Sequence, residues 1–122
     1  MNTLEVGRKL VELCNSGKAE EAMEALYAPD IVSVEAMSMP NMPAEMRGMS
    51  AVREKGKWWN DNHTIHSASC KGPFPHGDRF ACYFTFDVTN KPSSQRFTME
   101  EVALYTVKDG KIVREEFFYT TG

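Results

Sequence analysis

Long segments with the alternation and β-branched or aromatic content of strands fill the second half of the chain. They span residues 64–71, 79–89, 95–107 and 111–119. Gly72-Pro73 and other turn-forming pairs separate them. The final turn, Asp109-Gly110, is typical of a two-residue hairpin loop in which both central residues take positive φ. A chain with this pattern is expected to build an antiparallel sheet that ends in a hairpin.

The first sixty residues carry helical patterns instead. Asn2 and Glu5 form a candidate capping box, and apolar residues recur at helical spacing up to Ser16-Gly17. A second helix is predicted from Ala19 to Pro29, followed by a strand over 31–35, an irregular loop and a third helix from Ser50. This order predicts an α+β fold, with helices on one concave face of a bent sheet. Because the chain has 122 residues, we expect one domain over residues 1–122.

The hairpin turn also predicts which side chains share a face of the sheet. Pairing Lys108 with Lys111 aligns Glu100 with Tyr119 and Val102 with Phe117 on the inner face. The outer face would then hold Ala103, Tyr105, Arg114, Glu116 and Phe118. Since that outer face is mixed in polarity yet rich in aromatic residues, we expect it to form a homodimer interface.

Composition disfavours several classes of function. There are 14 basic and 17 acidic residues, with no basic stripe, so we expect neither nucleic acid nor a membrane surface as a partner. No apolar run is long enough to span a bilayer. The three cysteines share no C-x-x-C spacing, and no signal-peptide pattern is present. We therefore expect free thiols, no metal site and a cytoplasmic location.

Two short stretches carry a family resemblance. Residues 26–32 read Leu-Tyr-Ala-Pro-Asp-Ile-Val, and residues 108–113 read Lys-Asp-Gly-Lys-Ile-Val. Together with the element order, they resemble the nuclear transport factor 2-like superfamily, in its SnoaL-like polyketide cyclase and ketosteroid isomerase branch. The resemblance implies a cystatin-like α+β roll, in which a curved sheet wraps round the helices and encloses an apolar cavity. Members include isomerases, cyclases, dehydratases and non-catalytic modules, so the fold does not decide the function.

The resemblance further implies a catalytic acid on the first strand. In the isomerases, this acid shuttles a proton next to a carbonyl, and the matching position here is Glu35. Those isomerases also use a tyrosine on the first helix and a protonated aspartate on the fifth strand as oxyanion donors. The matching positions fall near Leu10 or Val11 and on Val102. Both donors are therefore predicted to be missing, which disfavours steroid isomerisation by that arrangement.

Strand parity supplies the other candidate site residues. His66, expected on the inner face, could exchange a proton near neutral pH, and Glu100 lies opposite Tyr119 in the predicted register. We predict one pocket around the catalytic candidates Glu35, His66, Glu100 and Tyr119. The predicted ligand-binding residues are Trp58, Tyr83, Val102, Leu104 and Phe117.

Some assignments stay open at this point. On the fourth strand, either Tyr83 and Thr85 or the alternate aromatic set that includes Phe84 lines the pocket, with the first option preferred. Trp58 either closes the cavity or covers a dimer edge. His63, at the predicted end of the third helix, is expected either to be solvated or to interact with the C-terminal dipole of that helix.

Two functions of different classes follow. The first is a cofactor-free isomerase, cyclase or hydratase that acts on a small, mostly apolar carbonyl compound by general acid–base chemistry. The second is a non-catalytic module that binds a small hydrophobic ligand or serves as a dimeric assembly partner. The missing oxyanion donors favour the module, whereas polar groups that converge on one end of the predicted cavity favour the enzyme.

Overall fold

Three helices precede or flank the sheet in the computed structural model, which describes residues 1–120. They are α1 (Thr3–Asn15), α2 (Ala19–Leu26) and α3 (Met49–Asn62). The predicted capping box is confirmed: the Asn2 side chain accepts from the Glu5 N–H at 2.9 Å, and the Glu5 carboxylate accepts from the Asn2 N–H at 3.1 Å. Helix α3 has Gly48 as its N-cap, two residues before Ser50, where the sequence predicted the start.

Six strands form one curved, unclosed sheet. They are β1 (Tyr27–Val34), β2 (Glu45–Arg47), β3 (His63–His76), β4 (Arg79–Asn90), β5 (Gln95–Lys108) and β6 (Lys111–Phe118). The strand order is β2-β1-β6-β5-β4-β3, and β1 runs parallel to β6 while all other neighbours are antiparallel. The predicted α+β class is confirmed. Strand β1 starts earlier than expected and passes through Pro29, where its pairing with β6 is interrupted.

The core lies between the helices and the concave face of the sheet. Val6 and Leu10 of α1 pack with Phe80 of β4 and Ile112 of β6, and all four side chains are buried. Helix α1 approaches β3 very closely, since a Cβ on Gly7 would lie 2.7 Å from the Pro73 side chain. The sheet therefore presents one covered face and one open face.

The hairpin register departs from the prediction at one residue. Lys108 opposes Lys111 and Val107 opposes Ile112, but Thr106 then opposes Arg114 because a β-bulge leaves Val113 unpaired. Side chains alternate along a strand, so a shift of one residue reverses the predicted faces. The β5 residues from Thr106 back to Val102 therefore lie on the face opposite to the predicted one. Beyond it, Tyr105 opposes Glu115, Ala103 opposes Phe117, and Val102 opposes Phe118.

The predicted faces of β5 were therefore wrong. Ala103 and Tyr105, predicted for the outer dimer face, are buried in the core. Glu100, Val102 and Leu104, predicted for the inner face, lie on the outer face. On β6, Phe117 does face inward, as predicted, and Glu115 lies on the same face.

On strand β4, too, the side chains face the opposite way from the preferred prediction, in which Tyr83 and Thr85 point inward. Phe80, Cys82, Phe84 and Val88 are buried, so the alternate set faces the core. Tyr83 lies on the outer face, where it opposes Val102 of β5. Burial of large apolar side chains decides the parity, since each contributes on the order of 2 kcal/mol.

Two histidines lie elsewhere than predicted. The β3–β4 pairing skips His66, and its Nε2 lies 2.7 Å from the Thr89 hydroxyl, so that the ring is exposed on the outer face rather than the inner one. His63 is buried, with Nδ1 2.9 Å from the Trp59 carbonyl and its ring stacked on Trp59 at 3.9 Å. The prediction of an inward His66 was wrong. Of the two alternatives for His63, a solvated ring was wrong, whereas a position at the C-terminal end of α3 agrees with the structure.

Candidate functional site

Glu35 lies just beyond β1 and has two charged or polar partners. Its Oε1 is 2.9 Å from the Lys55 Nζ of α3, and its Oε2 accepts a hydrogen bond from the Tyr119 hydroxyl at 3.0 Å. The Lys55 and Glu35 side chains are 14% and 25% exposed. The two side chains therefore form an ion pair that is largely removed from solvent.

A second set of polar groups lies behind this pair, inside the fold. Lys55 also bonds the Ser33 hydroxyl, which donates to Glu115 at 2.7 Å, and Glu115 accepts another hydrogen bond from Tyr27. Glu115 is only 3% exposed. The result is a continuous hydrogen-bonded chain from the core to the surface: Tyr27, Glu115, Ser33, Lys55, Glu35 and Tyr119.

Local periodicity explains why these groups meet. In β1, the inward positions Ile31 and Ser33 alternate with outward ones. In α3, Val52 and Lys55 are three residues apart and share the face that looks onto β1. The aliphatic stem of Lys55 reaches past Phe117, whose ring centroid is 5.0 Å from Nζ.

Glu101 of β5 is a further acidic group on this side of the sheet. It lies opposite Phe84 and shares the inner face with Ala103. Burial, together with the nearby Glu35 charge, raises the pKa of Glu101 to about 7, although Lys55 opposes this effect. Glu101 therefore changes protonation near neutral pH. Burial likewise raises the pKa of Glu115, against the favourable effects of Lys55, Tyr27 and Ser33.

An open depression of about 560 Å³ adjoins Glu35 and Tyr119. Its lining is Val34, Glu35, Ala36, Glu116, Phe117, Phe118, Tyr119 and Thr120. The wall thus combines apolar and aromatic side chains with the carboxylate and hydroxyl that are hydrogen-bonded to each other. Such a combination can hold a small apolar molecule while presenting groups that bind or exchange protons.

The structure brings together only part of the predicted site. Glu35, Tyr119 and Phe117 meet around the depression. The predicted residues on the outer face are not among those that line it: Glu100, Val102, Leu104, Tyr83 and His66. Trp58 lies near the end of α3, where its ring meets His63 edge-on at 6.0 Å.

Four residues of the cluster were missed from the sequence: Ser33, Lys55, Glu101 and Glu115 as members of the site. In the doublets Glu100-Glu101 and Glu115-Glu116, the alternation of side chains along a strand places one member of each on the inner face. Only the bulge at Val113 decides that Glu101, rather than Glu100, is that member. Lys55 could have been found from its helical spacing to Val52, which is buried.

Within residues 1–120, no group of three or more His, Cys, Asp or Glu side chains could hold a metal ion. Cys14, Cys70 and Cys82 are free thiols. Among the described helices, none is long and apolar enough to cross a membrane.

Known proteins share both the sequence pattern and the fold. Residues 1–119 match the SnoaL-like domain. This protein belongs to the SnoaL-like family. The SnoaL-like protein is 45% identical to a Mesorhizobium loti protein described as a candidate SnoaL-like polyketide cyclase, a description that also names carbohydrate phosphatase. The two superimpose with a TM-score of 0.92 over 98% of this chain and 100% of the other.

More distant structures share the fold alone. A Xanthomonas campestris protein of unknown function with a cystatin-like fold has 22% identity and a TM-score of 0.76, covering 99% of this chain and 92% of the other. A candidate isomerase from Bacillus subtilis has 16% identity and a TM-score of 0.77, covering 98% and 90%. No curated protein matches the SnoaL-like protein. The predicted family and α+β roll are confirmed.

Proposed function

We propose that this SnoaL-like protein is a cofactor-free enzyme that moves a proton on a small, mostly apolar carbonyl compound. The reaction class is isomerisation, cyclisation or hydration by general acid–base catalysis. One observation carries the proposal: the Glu35 carboxylate, paired with Lys55 and Tyr119, lines an open depression whose other wall residues include Phe117 and Phe118.

The cluster offers a division of roles. Glu35, paired with Lys55, is the proposed base that removes a proton next to the carbonyl. Glu101, protonated below pH about 7, is the proposed donor to the oxygen on which negative charge develops. The family resemblance places Val102 at the position of the isomerases' protonated aspartate, so the sequence alone predicts no oxyanion donor on the fifth strand. Tyr119 orients Glu35 through its hydroxyl.

The substrate class follows from the walls and from a relative. Val34, Ala36, Phe117 and Phe118 provide apolar contacts beside the carboxylate. The Mesorhizobium loti relative is described as a candidate polyketide cyclase, and polyketides are rich in carbonyl groups. Both points support a neutral, carbonyl-bearing substrate of modest size.

The proposal extends to location and partners. A small apolar ligand is the proposed partner, with neither nucleic acid nor membrane involved. The three free thiols support a reducing cytoplasm.

Glu35→Gln is expected to abolish the proposed activity. The amide keeps the size of the side chain but cannot take up a proton, so the rate should fall by about 10²–10⁴-fold. The measurement is exchange of the α-protons of a β,γ-unsaturated cyclic ketone for deuterium, followed by proton NMR. Glu100→Gln, on the outer face, is the matched control and should exchange at the wild-type rate. Equal rates for Glu35→Gln and wild type would remove Glu35 from the mechanism.

A second candidate function, a dimeric assembly or binding module, is favoured by the outer face. Val102 and Phe118 oppose each other there and are 41% and 51% exposed. Tyr83 and Leu104 flank them on the same face. This apolar strip replaces the dimer surface predicted from the sequence, and we propose that a homodimer forms across it.

Val102→Glu is expected to convert the proposed dimer into a monomer. A charge at the centre of the apolar strip would have to be buried without a partner. Sedimentation velocity at micromolar concentration measures the outcome. Ala25→Glu adds the same charge at an exposed position of α2 and should leave the dimer intact. A monomeric wild-type protein would rule out the interface.

A further inference from the structure

Glu115 is a buried carboxyl group to which the proposed reaction gives no role. It projects from β6 into the core and is 3% exposed. Burying a carboxylate is costly unless other groups bond to it or carry the opposite charge. Its hydrogen-bond partners therefore indicate what the group does.

The hydrogen-bond partners of Glu115 are both hydroxyl groups. An ammonium group has only donors, so the Ser33 oxygen must accept from Lys55. The single Ser33 hydroxyl hydrogen then goes to Glu115 Oε1, and the Tyr27 hydroxyl donates to Oε2. Glu115 accepts at both oxygens, which is the pattern of a carboxylate.

Lys55 is thus held between two carboxylates. Glu35 contacts its Nζ directly at 2.9 Å, while Glu115 reaches it through Ser33. The Phe117 ring covers a further side, with its centroid 5.0 Å from Nζ. A lysine side chain has many rotamers, so these contacts are needed to confine it to one of them.

We propose that Glu115 is a positioning residue that, through Ser33, holds the Lys55 ammonium against Glu35. This inference rests on the proposed function, in which Glu35 is the base. It adds that Glu115, at the buried end of the hydrogen-bonded series, determines where the Lys55 ammonium lies. Glu115 acts through Lys55 and does not touch the depression.

The charges that face Glu101 give the inference a measurable signature. They are Glu35 after β1, Lys55 on α3 and Glu115 on β6, and the Tyr119 hydroxyl lies among them. Glu35 and Glu115 raise the pKa of Glu101, whereas Lys55 lowers it. Removing Glu115 and removing Lys55 should therefore shift the Glu101 titration in opposite directions.

The test is NMR on the isolated protein, without any substrate. In the wild type, the confined Lys55 ammonium should give its own Nζ signal, because bonds to Ser33 and Glu35 slow its exchange with water. Glu115→Gln and Ser33→Ala should each lose that signal, whereas Glu100→Gln, on the outer face, should keep it. Ser33→Ala removes one hydroxyl and no charge, so it separates the serine bridge from electrostatics.

The Glu101 carboxyl titration is the second readout. It should move to lower pH in Glu115→Gln, to higher pH in Lys55→Met and stay unmoved in Glu100→Gln. If the substitutions only loosened the fold, the pKa of Glu101 would move down toward the ordinary glutamate range in both Glu115→Gln and Lys55→Met. A higher titration pH in Lys55→Met therefore separates lost charge from loosening. An unchanged Lys55 signal in both Glu115→Gln and Ser33→Ala would overturn the positioning role. Absence of α-proton exchange with both NMR signatures intact would instead count against the proposed function.

Discussion

Replacing Lys55 by methionine is expected to lower the free energy of unfolding by about 3–5 kcal/mol. Methionine matches the length of the stem, so packing against Phe117 is largely kept. The loss arises because Glu35 and the buried Glu115 would share the interior without a compensating charge. Urea unfolding at pH 7 measures the effect.

The matched control for this change is Lys57→Met on the same helix. Lys57 also pairs with a carboxylate, Asp61, at 2.8 Å, but its side chain is 77% exposed. Solvent screens that pair, and little change in stability is expected. Adding Glu115→Gln to Lys55→Met should recover part of the lost stability, since one unpaired charge is then removed. Equal effects of Lys55→Met and Lys57→Met would contradict a buried charge network.

The stability of the protein is expected to fall between pH 4.5 and pH 7 because of Glu101. Its pKa is 4.5 in the unfolded chain and about 7 in the folded protein, so folding favours the protonated carboxyl. Below pH 4.5 both states are protonated and this contribution is fully present. As the pH rises toward 7, the unfolded state gains more by releasing the proton, and the folded state loses up to about 3 kcal/mol.

Glu101→Gln should remove this dependence. The variant is expected to be more stable than the wild type at pH 8, by up to about 3 kcal/mol, and similar to it near pH 4.5. Urea midpoints at several pH values test the prediction. Glu100→Gln, one residue away on the outer face, should show no such gain. If Glu101→Gln gains nothing between pH 5 and pH 8, the carboxyl is not desolvated as described.

The fold could be predicted from the sequence because its signals are local. The Asn2–Glu5 capping box and the Asp109-Gly110 turn each act over a few residues, and both appear where expected. Helical and strand periodicities give the element order, since an apolar face must be buried whatever the detailed packing. The family resemblance supplies the arrangement of the elements.

The candidate site could be predicted only in part because it depends on two bulges. Glu35 could be predicted as a site residue from the family resemblance, and Tyr119 from the alternation of side chains along β6. Glu100 was chosen instead of Glu101 because nothing in the residue types marks the bulge at Val113. His66 was wrongly predicted to face inward for the same reason, because a second bulge leaves it unpaired between β3 and β4.

Lys55 was missed for a different reason. A lysine on an exposed-looking helix is usually solvated, and its neighbours Arg53, Glu54 and Lys57 are exposed. Its partners Ser33, Glu35 and Glu115 lie 22, 20 and 60 residues away along the chain. Only the assembled sheet brings these carboxylates to the helix.

The pH dependence of α-proton exchange tests the central claim most directly. The rate for a β,γ-unsaturated cyclic ketone in deuterated buffer would be measured by proton NMR from pH 5 to pH 9. The account predicts exchange well above the buffer rate, which falls as the pH rises through about 7 and Glu101 loses its proton. In Glu101→Gln this fall should be absent. Exchange at the buffer rate throughout this range, by a folded protein, would contradict the account and favour a non-catalytic module.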